Sequence, residues 1–164
     1  MIDQEKDEKE DLDIRILKWL SGDGRRTKSF LADELKRSPN TIKAHIENLE
    51  SENIIKNYGV QIDYKKLGYE IMAVIELTIS KGKMIDVETQ IARNPNIFAV
   101  YDITGTYDAL LLARFKNPSE LSDLVKKINS NEFVIRTNTH LILNVIKEES
   151  NLKELLDNEK ASKE

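Results

Sequence analysis

Cysteine is absent from the 164 residues, and histidine occurs only twice, at His45 and His140. Without thiols there are no disulfides, thiolate zinc sites, iron–sulfur clusters or cysteine nucleophiles, and two imidazoles leave little for metal or acid–base chemistry. Long apolar runs are missing too. None approaches the roughly 20 residues of a membrane-spanning helix, and the N-terminal MIDQEKDEKEDLD is charged where a signal peptide needs an apolar core. The expectation is a cytoplasmic protein with no membrane partner. Neither histidine sits in a recognisable base–nucleophile arrangement, and Asp102 and Asp108 read as turn and strand-end residues. No enzyme activity, metal or cofactor is expected.

Net positive charge is lacking as well: the chain carries a formal −4, which by itself argues against phosphate binding. The distribution says more than the sum. Residues 1–13 hold seven acids against two lysines and read as a solubilising arm, whereas residues 25–58 hold seven bases against five acids. An acidic total therefore conceals a locally basic segment.

That segment lies where apolar residues recur at helical spacing in three bursts. The first, with Leu12, Ile16, Leu17 and Leu20, stops at the Ser-Gly-Asp-Gly run of residues 21–24. The second, Lys28 to Leu35, follows Thr27 or Ser29 as a cap, and the third opens on Ser38-Pro39 and puts Ile42, Ile46 and Leu49 on one face. Two helices around the short turn Lys36-Arg37-Ser38 have the spacing of a helix-turn-helix. The outward face of the third helix then offers Asn40, Thr41, Lys43, Ala44, His45, Glu47 and Asn48. Asn can pair with adenine, Lys with guanine or phosphate, and Ala or Thr can touch a thymine methyl. Arg25, Arg26 and Lys28 are placed to grip phosphates. A three-helix packing module with a solvated outer face fits the same periodicity.

Asn53 reads as a left-handed helix stop, and residues 54–62 as a short strand or extended connector. The period then changes. The order becomes strand (Tyr69 to Ile79), helix (Met84 to Arg93), strand (Ile97 to Thr104), a turn at Gly105, strand (Ala109 to Phe115), helix (Pro118 to Asn129) and strand (Phe133 to Ile146). This βαββαβ order is that of the ferredoxin-like unit, a four-stranded antiparallel sheet with two helices on one face. Strands such as Ile71-Met72-Ala73-Val74-Ile75 and Ala109-Leu110-Leu111-Leu112-Ala113 are apolar on both faces, so the uncovered face predicts a second copy of the sheet against it.

Leu12-Asp13, Asp23-Gly24-Arg25, Leu31-Ala32, Ser38-Pro39, Leu49-Glu50, Ile55-Lys56-Asn57-Tyr58, Leu67-Gly68-Tyr69, the hairpin Thr104-Gly105-Thr106-Tyr107-Asp108 and Arg136-Thr137-Asn138-Thr139 occur in an order and spacing that resembles the Lrp/AsnC (feast/famine) transcription factors. The resemblance runs from Leu12 to about Lys147. It implies a sequence-specific regulator of double-stranded DNA with palindromic operators, assembled as a dimer or octamer and modulated by an amino acid or other small effector. It also implies that the third helix reads DNA and that Thr104, Gly105, Thr106, Tyr107 and Asp108, with Thr137 and Thr139, form the effector site. Three positions depart from the family's pattern: His45 stands where Arg is usual, Asn53 replaces a Gly, and Thr106 replaces an acid in the Gly-Asp-Tyr-Asp turn.

The predicted architecture is α+β, a three-helix winged helix-turn-helix followed by a ferredoxin-like βαββαβ domain. Its parts are an acidic arm (1–11), a DNA-binding domain (12–53), a connector (54–68), an effector and oligomerisation domain (69–147) and a charged tail (148–164) that is either a short helix or disordered. The competing readings are a small-molecule-binding ferredoxin-like protein and an assembly module, neither acting on DNA.

Overall fold

A computed structural model of the chain describes residues 11–148 and 152–161. They form two compact units, one reaching to Gln61 and taking in the chain from Glu148 onward, the other spanning Ile62–Lys147. Most of the acidic arm lies outside the described residues. Its last member, Asp11, caps the first helix by accepting from the Asp13 N–H at 3.2 Å.

The first unit contains α1 (Leu12–Gly22), α2 (Lys28–Leu35) and α3 (Pro39–Ser51). Thr27 caps α2 through the Phe30 N–H, and Ser38 caps α3 through the Thr41 N–H, each at 3.1 Å. Between them Lys36 takes the left-handed conformation (φ 52°) that ends α2 abruptly enough for a tight turn. Ile16, Leu31, Leu35, Ile42, Ile46 and Leu49 form the shared core. Asn53 is left-handed at φ 57°, as its position after α3 predicts, but residues 54–62 join no sheet and constitute an extended connector.

The second unit contains β1 (Ile71–Ile79), α4 (Met84–Ile91), β2 (Ile97–Asp102), β3 (Ala109–Phe115), α5 (Pro118–Asn129) and β4 (Val134–Leu141). All pairings are antiparallel and the strand order is β2-β3-β1-β4. Burial alternates along the two central strands: Ala73, Ile75, Leu77 and Ile79 of β1, and Ala109, Leu111, Ala113 and Phe115 of β3, lie in one core with Val87 and Ile91 of α4 and Leu124 and Ile128 of α5. The helices therefore cover one face only. On the other, Met72, Val74, Leu110 and Leu112 are half-buried with no element over them among the described residues.

β4 ends at Leu141 rather than at Ile146. Its partner sets the limit: Ala73 pairs with Leu141, the Ile142 N–H reaches the Met72 carbonyl at 2.9 Å, and β1, which begins at Ile71, offers no partner beyond Leu143. α4 stops at Ile91, two residues short of the expected Arg93, because Pro95 disfavours helical backbone at Asn94. The connector is divided. Its Tyr64 belongs with the sheet unit, where it meets Tyr69 edge-on at 6.0 Å and Arg114 stacks over its ring at 4.5 Å.

The charged tail forms a helix, α6 (Leu152–Ala161), which packs on α1 with Lys18 Nζ 3.3 Å from Asp157 Oδ1. Among the described residues, no helix is long and apolar enough to cross a membrane.

Candidate nucleic-acid interface and effector turn

With Ile42, Ile46 and Leu49 in the core, the opposite face of α3 presents Asn40, Lys43, Ala44, Glu47 and Asn48 to solvent. Lys43 Nζ lies 3.6 Å from Glu47 Oε1, and Asn48 Nδ2 donates to Glu52 Oε1 at 3.1 Å. Both contacts are exposed and cheap to exchange for a phosphate or a base edge, since a surface ion pair contributes only about 0–1 kcal/mol. Thr41 is half-buried, and its hydroxyl lies 2.9 Å from the Ser38 hydroxyl at the start of the helix.

His45 points elsewhere. Its Nδ1 lies 2.6 Å from Asp13 Oδ1 and its side chain is only partly exposed, so the imidazole ties α3 to the first turn of α1. The 3.6-residue period put it among the outward residues because it flanks the buried stripe, and an acid on α1 captures it there.

The three basic residues before and at α2 also divide. Arg25 is fully outside and bonds Asp23, with Nε 3.1 Å from Oδ1; that contact holds the Asp23 carboxyl below its ordinary range. Lys28 is exposed. Arg26 is not a free cation: its guanidinium lies over Phe30 at 4.4 Å and Trp19 at 5.1 Å, and those two rings meet edge-on at 5.3 Å. Sequence pattern could not separate Arg25 from Arg26, because the distinction rests on which of two adjacent side chains faces the Trp19–Phe30 pair.

Thr104, Gly105 and Thr106 are exposed at the tip of the β2–β3 connection, and Gly105 has φ 122°, a conformation L side chains rarely adopt. An added Cβ there would meet nothing within 4 Å. Space is thus available beside this backbone, and only conformation demands glycine. Tyr107 lies under the Arg136 guanidinium at 4.8 Å.

Asp108 has a structural task that the sequence did not disclose. Its Oδ2 accepts from the Ile79 N–H at 2.8 Å, and its own N–H donates to the Leu77 carbonyl at 2.8 Å. The β1–β4 register shifts between Thr78 and Ile79, and the carboxylate satisfies the backbone where that ladder is disturbed. Leu77 is also the cross-strand partner of Thr137, so the turn and β4 flank the same end of β1. Thr137 Oγ1 donates to Asn129 Oδ1 at 3.0 Å, at the end of α5; Thr139, opposite Ile75, is exposed.

Glu88 on α4 was not foreseen. Burial first, then the negative charges of Asp102 and Asp108, push its carboxyl above the ordinary range, and its Oε1 is buried without a hydrogen-bond partner. The fold thus penalises the charged form of this carboxyl relative to a free one.

Two predictions follow from this end of the sheet. Asp108→Ala leaves the Ile79 N–H without its acceptor and should cost about 1–3 kcal/mol in urea unfolding, whereas Asp108→Asn, which retains an acceptor oxygen, should cost less. Because the folded Glu88 pKa is raised, the stability linked to this group is fully present below the ordinary carboxylate range and lost as pH rises through the raised value. Glu88→Gln should therefore raise the urea midpoint above that of the parent at neutral pH, with the difference shrinking in acid.

Known proteins match both units. A winged helix-turn-helix DNA-binding family model matches residues 9–56, and the Lrp/AsnC ligand binding domain model matches residues 72–152. An HTH-type transcriptional regulator of Pyrococcus furiosus is 36% identical over 143 residues, covering 87% of this chain and 97% of that protein. The solved structure of B. subtilis LrpC, 27% identical, aligns with a TM-score of 0.75 over 85% of this chain and 98% of its own. A transcriptional regulator from Neisseria meningitidis, solved as an L-Met complex and 24% identical, aligns at 0.79 over 89% and 98%, a likeness of fold.

Proposed function

The chain belongs to the Lrp/AsnC family and is a DNA-binding transcriptional regulator, and from that premise we propose that it reads the major groove with Asn40, Lys43, Ala44 and Asn48 of α3, while Arg25 and Lys28 hold phosphates. The observation that carries this reading is the composition of one helix face: α3 buries Ile42, Ile46 and Leu49 and leaves opposite them an exposed row of amides, a lysine with its exposed Glu47 partner, and a small methyl side chain. Thr41 lies beside this row at the start of α3. Arg26 and His45 then act indirectly, by fixing α2 and α3 on α1.

The acting unit in this proposal is a dimer formed through the open sheet face. Met72, Val74, Leu110 and Leu112 supply an apolar centre there, and Glu76, Asn138 and His140 supply a polar cluster, with Asn138 Nδ2 2.9 Å and His140 Nε2 3.1 Å from Glu76 Oε2. A dimer would present two copies of α3 to a palindromic operator. The Gly105 turn serves in this reading as the place where a small effector, such as an amino acid, meets exposed backbone amides. The open space beside Gly105 supports it, as does the Neisseria regulator of the same fold bound to L-Met. The ligand contacts would come from Thr104, Thr106 and the turn's backbone, since Asp108 and Thr137 are already bonded.

Lys43→Ala should weaken operator binding and lower the slope of log K against log salt by about one, leaving the melting temperature nearly unchanged. Fluorescence anisotropy on an operator selected from genomic fragments measures both quantities; unchanged affinity and slope would place the reading face elsewhere. Sedimentation at micromolar concentration should show a species of at least twice the chain's 18.9 kDa, and Leu112→Asp on the open face should shift it toward the monomer.

A further inference from the structure

Besides the turn at Gly105, the sheet unit contains a separate hollow of about 330 Å³ between the C-terminal ends of α4 and α5. Its floor is apolar. Ile91, Leu124 and Ile128 emerge there from the helix–sheet core, and Pro95 closes one side. Its size is at the small end of the range in which compact ligands bind.

The charges around this floor are all of one sign. Arg93 and Lys127 are the charged lining residues, and no Asp or Glu lines the hollow. Neither cation has an ion pair or a side-chain hydrogen bond among the described residues. The neighbouring Lys126 behaves differently, lying 3.9 Å from Asp123 one turn back. Cations near a helix C-terminus are favoured by the helix dipole. The Gln90 carbonyl accepts from the Arg93 N–H and the Ile128 carbonyl from the Asn131 N–H, so neither cation is held by these two carbonyls. Gln90 Oε1 accepts from Asn131 Nδ2 at 3.3 Å, which spans the two helix ends and leaves the Gln90 amide N–H groups available for an oxygen in the hollow.

The geometry points to a binding site for a small monocarboxylate with an aliphatic body, its carboxylate held by Arg93, Lys127 and the Gln90 amide and its hydrocarbon laid on Ile91, Leu124 and Ile128. A guanidinium and an ammonium both form charge-assisted bonds to a carboxylate. The absence of any acid among the lining residues decides a second feature of the ligand. An α-ammonium group would enter beside two cations with no carboxylate to receive it, so the site favours the acid over the amino acid of the same carbon skeleton. This inference does not depend on the effector reading of the Gly105 turn, none of whose residues lines the hollow.

The test uses the full-length protein and three probes with one skeleton: 4-methylpentanoate, L-leucine, which adds an ammonium group to it, and 4-methylpentan-1-ol, which lacks the carboxylate. Isothermal titration calorimetry should show saturable binding of 4-methylpentanoate, with 4-methylpentan-1-ol at least about tenfold weaker and L-leucine at least about tenfold less effective in displacing 4-methylpentanoate. The double variant Arg93→Gln/Lys127→Gln, both positions exposed, should weaken 4-methylpentanoate by about tenfold or more without moving the ligand-free unfolding midpoint. Gln90→Ala should weaken it less, in the same direction. Absence of saturable 4-methylpentanoate binding would overturn the proposal, as would L-leucine binding equally well at this site or undiminished affinity in the double variant. Loss of L-leucine binding through changes at Gly105, with 4-methylpentanoate unaffected, would support two separate sites.

Discussion

The second unit depends on the central position of β1 and β3, whose backbones are paired on both sides and whose side chains must therefore leave the sheet alternately above and below. One row, from Ala73 to Ile79 and from Ala109 to Phe115, is buried under α4 and α5. The other row has an apolar centre at Met72, Val74, Leu110 and Leu112, flanked by Glu76, Thr78 and Arg114, and has nothing over it among the described residues. From this arrangement come the position of the helix pair, the hollow between the helix ends, the open face available to a second copy and the turn that lies against the end of β1. Asp108 is part of the same constraint: where the β1–β4 register shifts, a backbone N–H needs an acceptor, and a side chain from the β2–β3 connection supplies it.

In the first unit, packing divides the polar residues into those that hold the helices together and those left for a partner. Arg26 lays its guanidinium over the Trp19–Phe30 pair and His45 bonds Asp13, so both side chains are engaged within the unit. Lys43 and Asn48 make only exposed contacts within their own helix or just beyond it. Tyr58 bonds Glu50 at 2.8 Å across the end of α3; partial burial, and then the Glu50 carboxylate, push its hydroxyl up to about 12, so the phenol stays protonated at physiological pH and the link persists. The exposed face of α3 is thus mounted on a base of aromatic, ionic and hydrogen-bonded contacts from α1 and the connector. Mounting of this kind is what a rigid reading helix requires.

Charge is organised locally in both units, and the net value of −4 describes neither. The helix-turn-helix sets exposed bases beside exposed amides, whereas the sheet unit has an acid-rich corner at Glu88, Asp102 and Asp108 and an acid-free hollow at Arg93 and Lys127.

The element order and most boundaries were legible from the sequence because they follow from local rules. Ser38-Pro39 starts a helix whatever surrounds it, Asn117-Pro118 does the same for α5, and period-two apolar runs produce strands. The candidate turn at Gly105 and the outward row of α3 were legible for the same reason. What only the tertiary structure decided is which polar side chains are already engaged. Asp13 and His45 are 32 positions apart, Asp108 and Ile79 are 29 apart, and Lys18 and Asp157 are 139 apart. Periodicity orders side chains around their own helix or strand. It carries no information about a partner on another element, so the pairing of α6 with α1, the end of β4 and the roles of Arg26, His45, Asp108 and Glu88 had to wait for the fold.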